Sequence, residues 1–103
     1  DAAGAGVAAA AQDSGNVKVV GAVADYAEDY GAKDVTAGSV VFAWDELGYR
    51  ETKGELCDGK VHVLGMAENG IRPVINMELT EEQKAIYDAA VADLLAGKID
   101  IAD

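Results

Sequence analysis

Residues Val17 to Ala24, VKVVGAVA, form a near-continuous apolar run of strand length that ends on a carboxylate, Asp25. A strand with one wet face alternates apolar and polar residues. An almost unbroken apolar run is instead the pattern of a strand covered on both faces, as in parallel sheets flanked by helices. A second run, Val35 to Phe42 (VTAGSVVF), repeats it, and Gly38 within that run marks a close approach of backbone or ligand. Lys60 to Met66 (KVHVLGM) places apolar residues at alternate positions and reads as a third strand. These three segments constrain the chain to an α/β architecture.

Helical signals separate the strands. Alanines favour a helix from Gly6 to Ser14, stopped by Gly15-Asn16. A helix is expected from Ala43 to Cys57, with Trp44, Leu47 and Tyr49 on its apolar face and Gly48 and Gly54 weakening it. The last helix has the strongest signals: Thr80 with Gln83 makes a capping box, and Glu81 and Glu82 occupy the first turn. Ile86, Ala90 and Leu94 form its stripe, flanked by Tyr87, Val91 and Leu95, and Gly97-Lys98 closes it. DYAEDYGAKD, from Asp25 to Asp34, reads as acidic loop; Ile71 to Leu79 reads as irregular because of Pro73; Ile99 to Ile101 adds a short edge strand. The resulting order, α-β-β-α-β-α, predicts a mostly parallel sheet flanked by helices.

A length of 103 residues allows a single domain with one modest core. With one Phe and one Trp, that core must be built from Val, Ile, Leu and Ala. Eight basic against nineteen acidic residues give a net charge of −11, which repels nucleic acid and anionic lipid and excludes both as partners. Cys57 stands alone, so an internal disulfide and CxxC chemistry are excluded. No stretch is long and apolar enough to span a membrane as a helix.

Gly4-Ala5-Gly6-Val7-Ala8-Ala9 fits the relaxed pattern G-x-G-x-x-G/A, and Asp25 lies about 20 residues on, as a dinucleotide fingerprint asks. Amides at a helix start attract an anion, and a carboxylate can hold ribose hydroxyls. The pattern lacks its leading strand, since only Asp1-Ala2-Ala3 precede it, and a packing glycine without a ligand role fits it equally. The chain reads as one cut just inside a βαβ unit. Asp25 ends an apolar strand, where open α/β sheets bind their ligands, although a solvated loop Asp beside Glu28 and Asp29 would look the same. His62 has no second histidine near it, so it reads as a satisfied histidine on a sheet face and no metal is expected. Ser14 and Ser39 have no nucleophile elbow around them, and Trp44 reads as core. No catalytic set is legible; the chain is expected to be no enzyme and to need no cofactor.

Taken together, AAGAGVAAAAQ, VVGAVADY, GSVVFAWDELGY, DGKVHVLGMAENGIRPV and LTEEQKAIYDAAVADLLAGKIDI resemble, in order along nearly the whole chain, the C-terminal part of the basic membrane protein (BMP) family. These are purine-nucleoside-binding lipoproteins that serve ABC importers. The resemblance implies one lobe of a periplasmic-binding-protein type I fold, residues 1–103, clamping a nucleoside-like ligand against an N-terminal lobe missing from this sequence. It implies an ABC permease as partner and an extracytoplasmic, lipid-anchored parent protein. It also implies that Asp25 binds ribose hydroxyls and that the turn holding Gly4 and Gly6 faces the ligand. Where the family has a ligand-contacting lysine after its Ser-Val-Val pattern, this sequence has Phe42, whose ring can stack but cannot donate a hydrogen bond. Two other readings stay open: a fragment of a dinucleotide-binding oxidoreductase, resting on the glycines and Asp25, and a non-binding module that self-associates as a homodimer through apolar surface.

Overall fold

The computed structural model describes residues 2–99. Helix α1 spans Ala2–Ser14 and strand β1 Val19–Val23. The short helix α2 (Tyr26–Asp29) leads into β2 (Thr36–Phe42), and α3 (Trp44–Thr52) follows at once. After a long excursion without regular structure come β3 (Ile71–Ile75) and α4 (Glu81–Leu95). The protein is thus a small α/β domain with a three-stranded sheet ordered β1-β2-β3.

The pairing of β1 with β2 is parallel, as the two apolar runs predict, with Gly21 opposite Ser39 and Val23 opposite Val41. The third strand differs from expectation in position and direction. It is formed by IRPVI, not by KVHVLGM, and it runs antiparallel to β2, with Val40 opposite Pro73 and Phe42 opposite Ile71. The sheet is therefore mixed, not mostly parallel. Pro73 is tolerated because β3 is an edge strand paired only with β2, so a missing N–H on the outer side forfeits no ladder bond. The Lys60–Met66 segment alternates correctly but has no strand to pair with. Val61 and Val63 stand in solvent, and alternation without a partner does not make a strand.

One sheet face carries the core. Gly4, Ala8 and Ala11 recur on one side of α1, and their small side chains let the helix approach closely. Ala8 and Ala11 pack with Tyr26, Ala32 and Val35, against Val19, Ala24 and Tyr30. The helix begins earlier than its alanine run, at Ala2, and ends where Gly15 takes φ +72°, its N–H donating to the Ala11 carbonyl. The expected acidic loop after β1 contains the α2 turn. Val23 adopts φ +75°, unusual for a β-branched residue, and reverses the chain so that Tyr26 lies back over the sheet. A Cβ on Gly21 would meet Ser39 Oγ at 2.5 Å and the Tyr26 ring at 2.7 Å. Gly38 marks a close approach, as the sequence suggests, and what approaches is β3: a Cβ there would lie 2.7 Å from the Val74 carbonyl oxygen.

The opposite face is open. Val20, Val40, Phe42 and Ile75 are exposed on or beside it, and no residue of α3 or α4 is buried. The radius of gyration of 16.0 Å exceeds the roughly 13 Å of a compact chain this long because α4 stands off the sheet. α4 itself is well formed: Thr80 Oγ1 accepts from the Gln83 N–H, and the Thr80 N–H donates to Gln83 Oε1, completing the capping box. The edge strand expected at Ile99–Ile101 lies outside the described residues.

The two packing environments of glycine give opposite expectations. Gly21→Ala should destabilise the domain by about 1–3 kcal/mol through overpacking. Gly6→Ala, in α1 with no atom within 4 Å of a new Cβ, should stabilise it by about 0.5–1 kcal/mol. Urea unfolding of the two variants checks both signs.

Candidate functional site

Ligands of open α/β sheets bind beyond the carboxyl ends of parallel strands. Here those ends are Val23 and Val41-Phe42, adjacent in register. Two features leave them: the carboxylate of Asp25 and the ring pair Phe42–Trp44.

Asp25 is half-buried and already bonded. It is the N-cap of α2, its Oδ1 accepting from the Ala27 N–H at 3.0 Å. Its own N–H donates to Asp29 Oδ2, a reciprocal cap, and Asn76 Nδ2 lies 3.5 Å from Asp25 Oδ2. One residue on, the Tyr26 N–H donates to the buried Ser39 Oγ at 3.1 Å, which gives that hydroxyl in β2 its partner. Asn76 Oδ1 is buried and, among the described residues, is the side-chain atom left without a hydrogen-bond partner. A carboxylate offers about four lone-pair sites, so Asp25 retains capacity for further donors.

The ring pair sits on the other side. Side chains alternate along a strand, and Ser39 faces Tyr26, so Val40 and Phe42 face the open side with Ile71. The Phe42 and Trp44 centroids are 6.2 Å apart at 62°, an edge-on arrangement. Both rings are accessible, at 41% and 63% relative exposure, so Trp44 is a surface side chain and not the core residue its helix position suggests. With Leu47, Leu64, Ile71 and His62 they line a cleft of about 260 Å³. Its base is fixed by the buried Ala43, whose N–H donates to the Gly70 carbonyl at 2.9 Å.

Charged side chains brace the cleft. Arg72 donates to Asp45 Oδ2 at 3.0 Å and to Asn69 Oδ1, tying β3 to the start of α3. Arg50 donates to Glu46 Oε1 at 2.7 Å and to the Glu68 carbonyl. The Arg72 guanidinium holds the Asp45 carboxyl below its ordinary range, and the Glu46 carboxylate raises Arg50. His62 is not on a strand; it lies in the excursion, its Nε2 2.7 Å from Asp58 Oδ1. That bond, with the Lys60 N–H, holds Asp58 low.

The glycines expected to face a ligand lie inside α1, not in a turn ahead of it. Gly4 is buried on the core side of the first turn, and Gly6 is exposed in the second. Asp25 and Phe42 are brought to neighbouring strand ends but on opposite faces of the sheet. Among the described residues no group of His, Cys, Asp and Glu is placed to hold a metal ion, and no helix is long and apolar enough to cross a membrane. Cys57 is exposed and free. Neither Asn76 nor the accessibility of Trp44 carries a spacing signal in the sequence: Asn76 meets Asp25 across 51 positions, and Trp44 stands on a helix face that borders an open cleft. In comparisons with known proteins, no family model matches the chain and no curated protein matches it.

Two outcomes follow from these bonds. Asp25→Ala should cost about 1 kcal/mol in urea unfolding, by loss of the α2 cap. Asp45→Asn should weaken the fold at neutral pH. A carboxyl lowered by its partner contributes stability above its ordinary titration range and loses it as pH falls through the lowered value. The gap between wild type and Asp45→Asn should therefore close on acidification, and not on raising the pH.

Proposed function

We propose that this chain is one lobe of a non-catalytic solute receptor for a nucleoside-like small molecule, working with a second lobe and an ABC permease outside the cytoplasm. The observation that carries the reading is the accessible Phe42–Trp44 pair at the carboxyl end of a parallel strand. Exposed aromatic rings over an apolar cleft favour a flat, ring-bearing ligand, since base–aromatic stacking is worth about 1–3 kcal/mol and tolerates different bases. Phe42 thereby takes a stacking role at the position where the resembling family has a lysine.

Asp25 supplies the polar half of the proposal. Its free lone pairs, beside the unpartnered Asn76 Oδ1, suit hydroxyl donors of a sugar. Because Asp25 and the rings leave opposite faces, one ligand touching both would straddle the strand ends. An open cleft of about 260 Å³ encloses too little of such a ligand to bind it tightly. Closure by an opposing lobe supplies the rest.

The chain holds a single tryptophan, so its fluorescence reports on the cleft alone. Titration with adenosine, guanosine and inosine should quench Trp44 with half-saturation in the millimolar range, about 4 kcal/mol of binding. Phe42→Ala should weaken this severalfold. Asp25→Asn should weaken nucleosides more than the free bases, which lack the sugar. Absence of any quench, or micromolar binding indifferent to Phe42→Ala, would remove the cleft from consideration as a nucleoside site.

A further inference from the structure

We propose a second ligand site, distinct from the ring cleft: the chamber between α4 and the open sheet face binds a neutral, apolar molecule. The chamber measures about 590 Å³, within the range of small-molecule pockets. Val40 and Pro73 form its sheet wall, Tyr87, Ala90 and Leu94 its helix wall, and Met66 one end. Both walls are regular elements. β2 and β3 are paired through this region, and α4 is capped at Thr80 and closed at Ala96-Gly97.

Tyr87, Val91 and Leu94 of α4 front this space half-buried, while Ile86, expected on the helix's inward stripe, is 66% exposed and lies off it. Ala90, small and midway along the stripe, leaves room between the larger Tyr87 and Leu94. Where the walls leave a gap they forgo dispersion with one another, and an apolar guest that fills it recovers that term and buries apolar surface. Met66 adds a flexible, polarizable side chain suited to guests of differing shape.

Charge selects among apolar guests. Among the described residues no Lys, Arg or His lines the chamber, and the carboxylate that does, Glu68, reaches back so that Oε2 accepts from the Gly65 N–H at 2.9 Å. A carboxylate or phosphate head would meet that charge and the domain's net −11, while the nearby Arg50 is already engaged by Glu46 Oε1 and the Glu68 carbonyl. An alcohol or another uncharged head meets neither objection.

The neutral fluorophore N-phenyl-1-naphthylamine tests the site in the intact chain. It should bind saturably, one per chain, and be displaced by dodecanol at about tenfold lower concentration than by dodecanoate. Glu68→Gln should narrow that difference. Ala90→Phe and Val91→Phe, each filling the chamber from the helix side, should weaken probe binding about tenfold while far-ultraviolet circular dichroism stays unchanged. Should one variant fail to fold, the other carries the test. Unsaturable binding, wild-type affinity in a folded filling variant, or one probe per two chains would overturn the proposal, the last by showing a second copy on this face. Equal displacement by alcohol and carboxylate would overturn the charge selection. Nucleosides should not displace the probe, and Phe42→Ala should leave its affinity unchanged, so this site and the ring cleft stand or fall separately.

Discussion

The Tyr26 ring lies over Gly21 because Val23 turns the chain back at φ +75°, and the rest of the folded face is arranged around that ring. A left-handed β-branched residue costs of order 1–3 kcal/mol, and such a conformation persists only where its surroundings over-determine it. Here three contacts do so. Asp25 caps the following helical turn, Ser39 Oγ accepts the Tyr26 N–H, and Ala8 and Ala11 of α1 close over the ring. Ala32 extends the arrangement, its carbonyl accepting from the Thr36 N–H and Oγ1 and so setting where β2 begins. The same reversal decides the direction of Asp25. The carboxylate is drawn over the covered face, while β2 runs on and delivers Phe42 to the open one.

That division gives the domain two unlike sides. The covered side is small, tightly approached and rich in alanine and glycine, and the buried Asn76 Oδ1 beside Asp25 is left there without a partner. The open side is apolar and loosely partnered, and both the ring cleft and the larger chamber belong to it. They adjoin at Ile71, which lines each of them. On an acidic surface net charge keeps copies apart while the open apolar face stays accessible. The nucleoside-receptor reading and the apolar-guest site draw on different parts of this side, one on accessible rings at its edge and the other on the space under α4.

Elements with a strong local signal were legible in the sequence: the α1 alanines with their Gly15 stop, the two valine-rich parallel strands, and the Thr80–Gln83 capping box. Each is decided by interactions within a few residues. The third strand was not legible, because KVHVLGM has the better alternation and IRPVI contains a proline. Only sheet position resolves the conflict: β3 is an edge, where proline is harmless, and among the described residues Lys60–Met66 joins no strand of the sheet. Trp44 was misjudged for a related reason. Its helix is apolar on one side, but that side borders an open cleft, so the periodicity describes a face and not a burial. Asn76 had no signal at all, since its meeting with Asp25 spans 51 positions.

The sequence by itself determined the class, an α/β domain of one core, and the ends of its clearest helices and strands, because hydrophobic runs and capping residues act locally. It also placed an acid and an aromatic after two neighbouring strands. Tertiary structure alone decided that these two leave opposite faces, that the sheet is mixed, and that α4 leaves a space beneath it. Strand pairing, the left-handed turn at Val23 and the standing of one element off another are set by contacts between distant residues, and no short window of sequence contains both partners of such a contact.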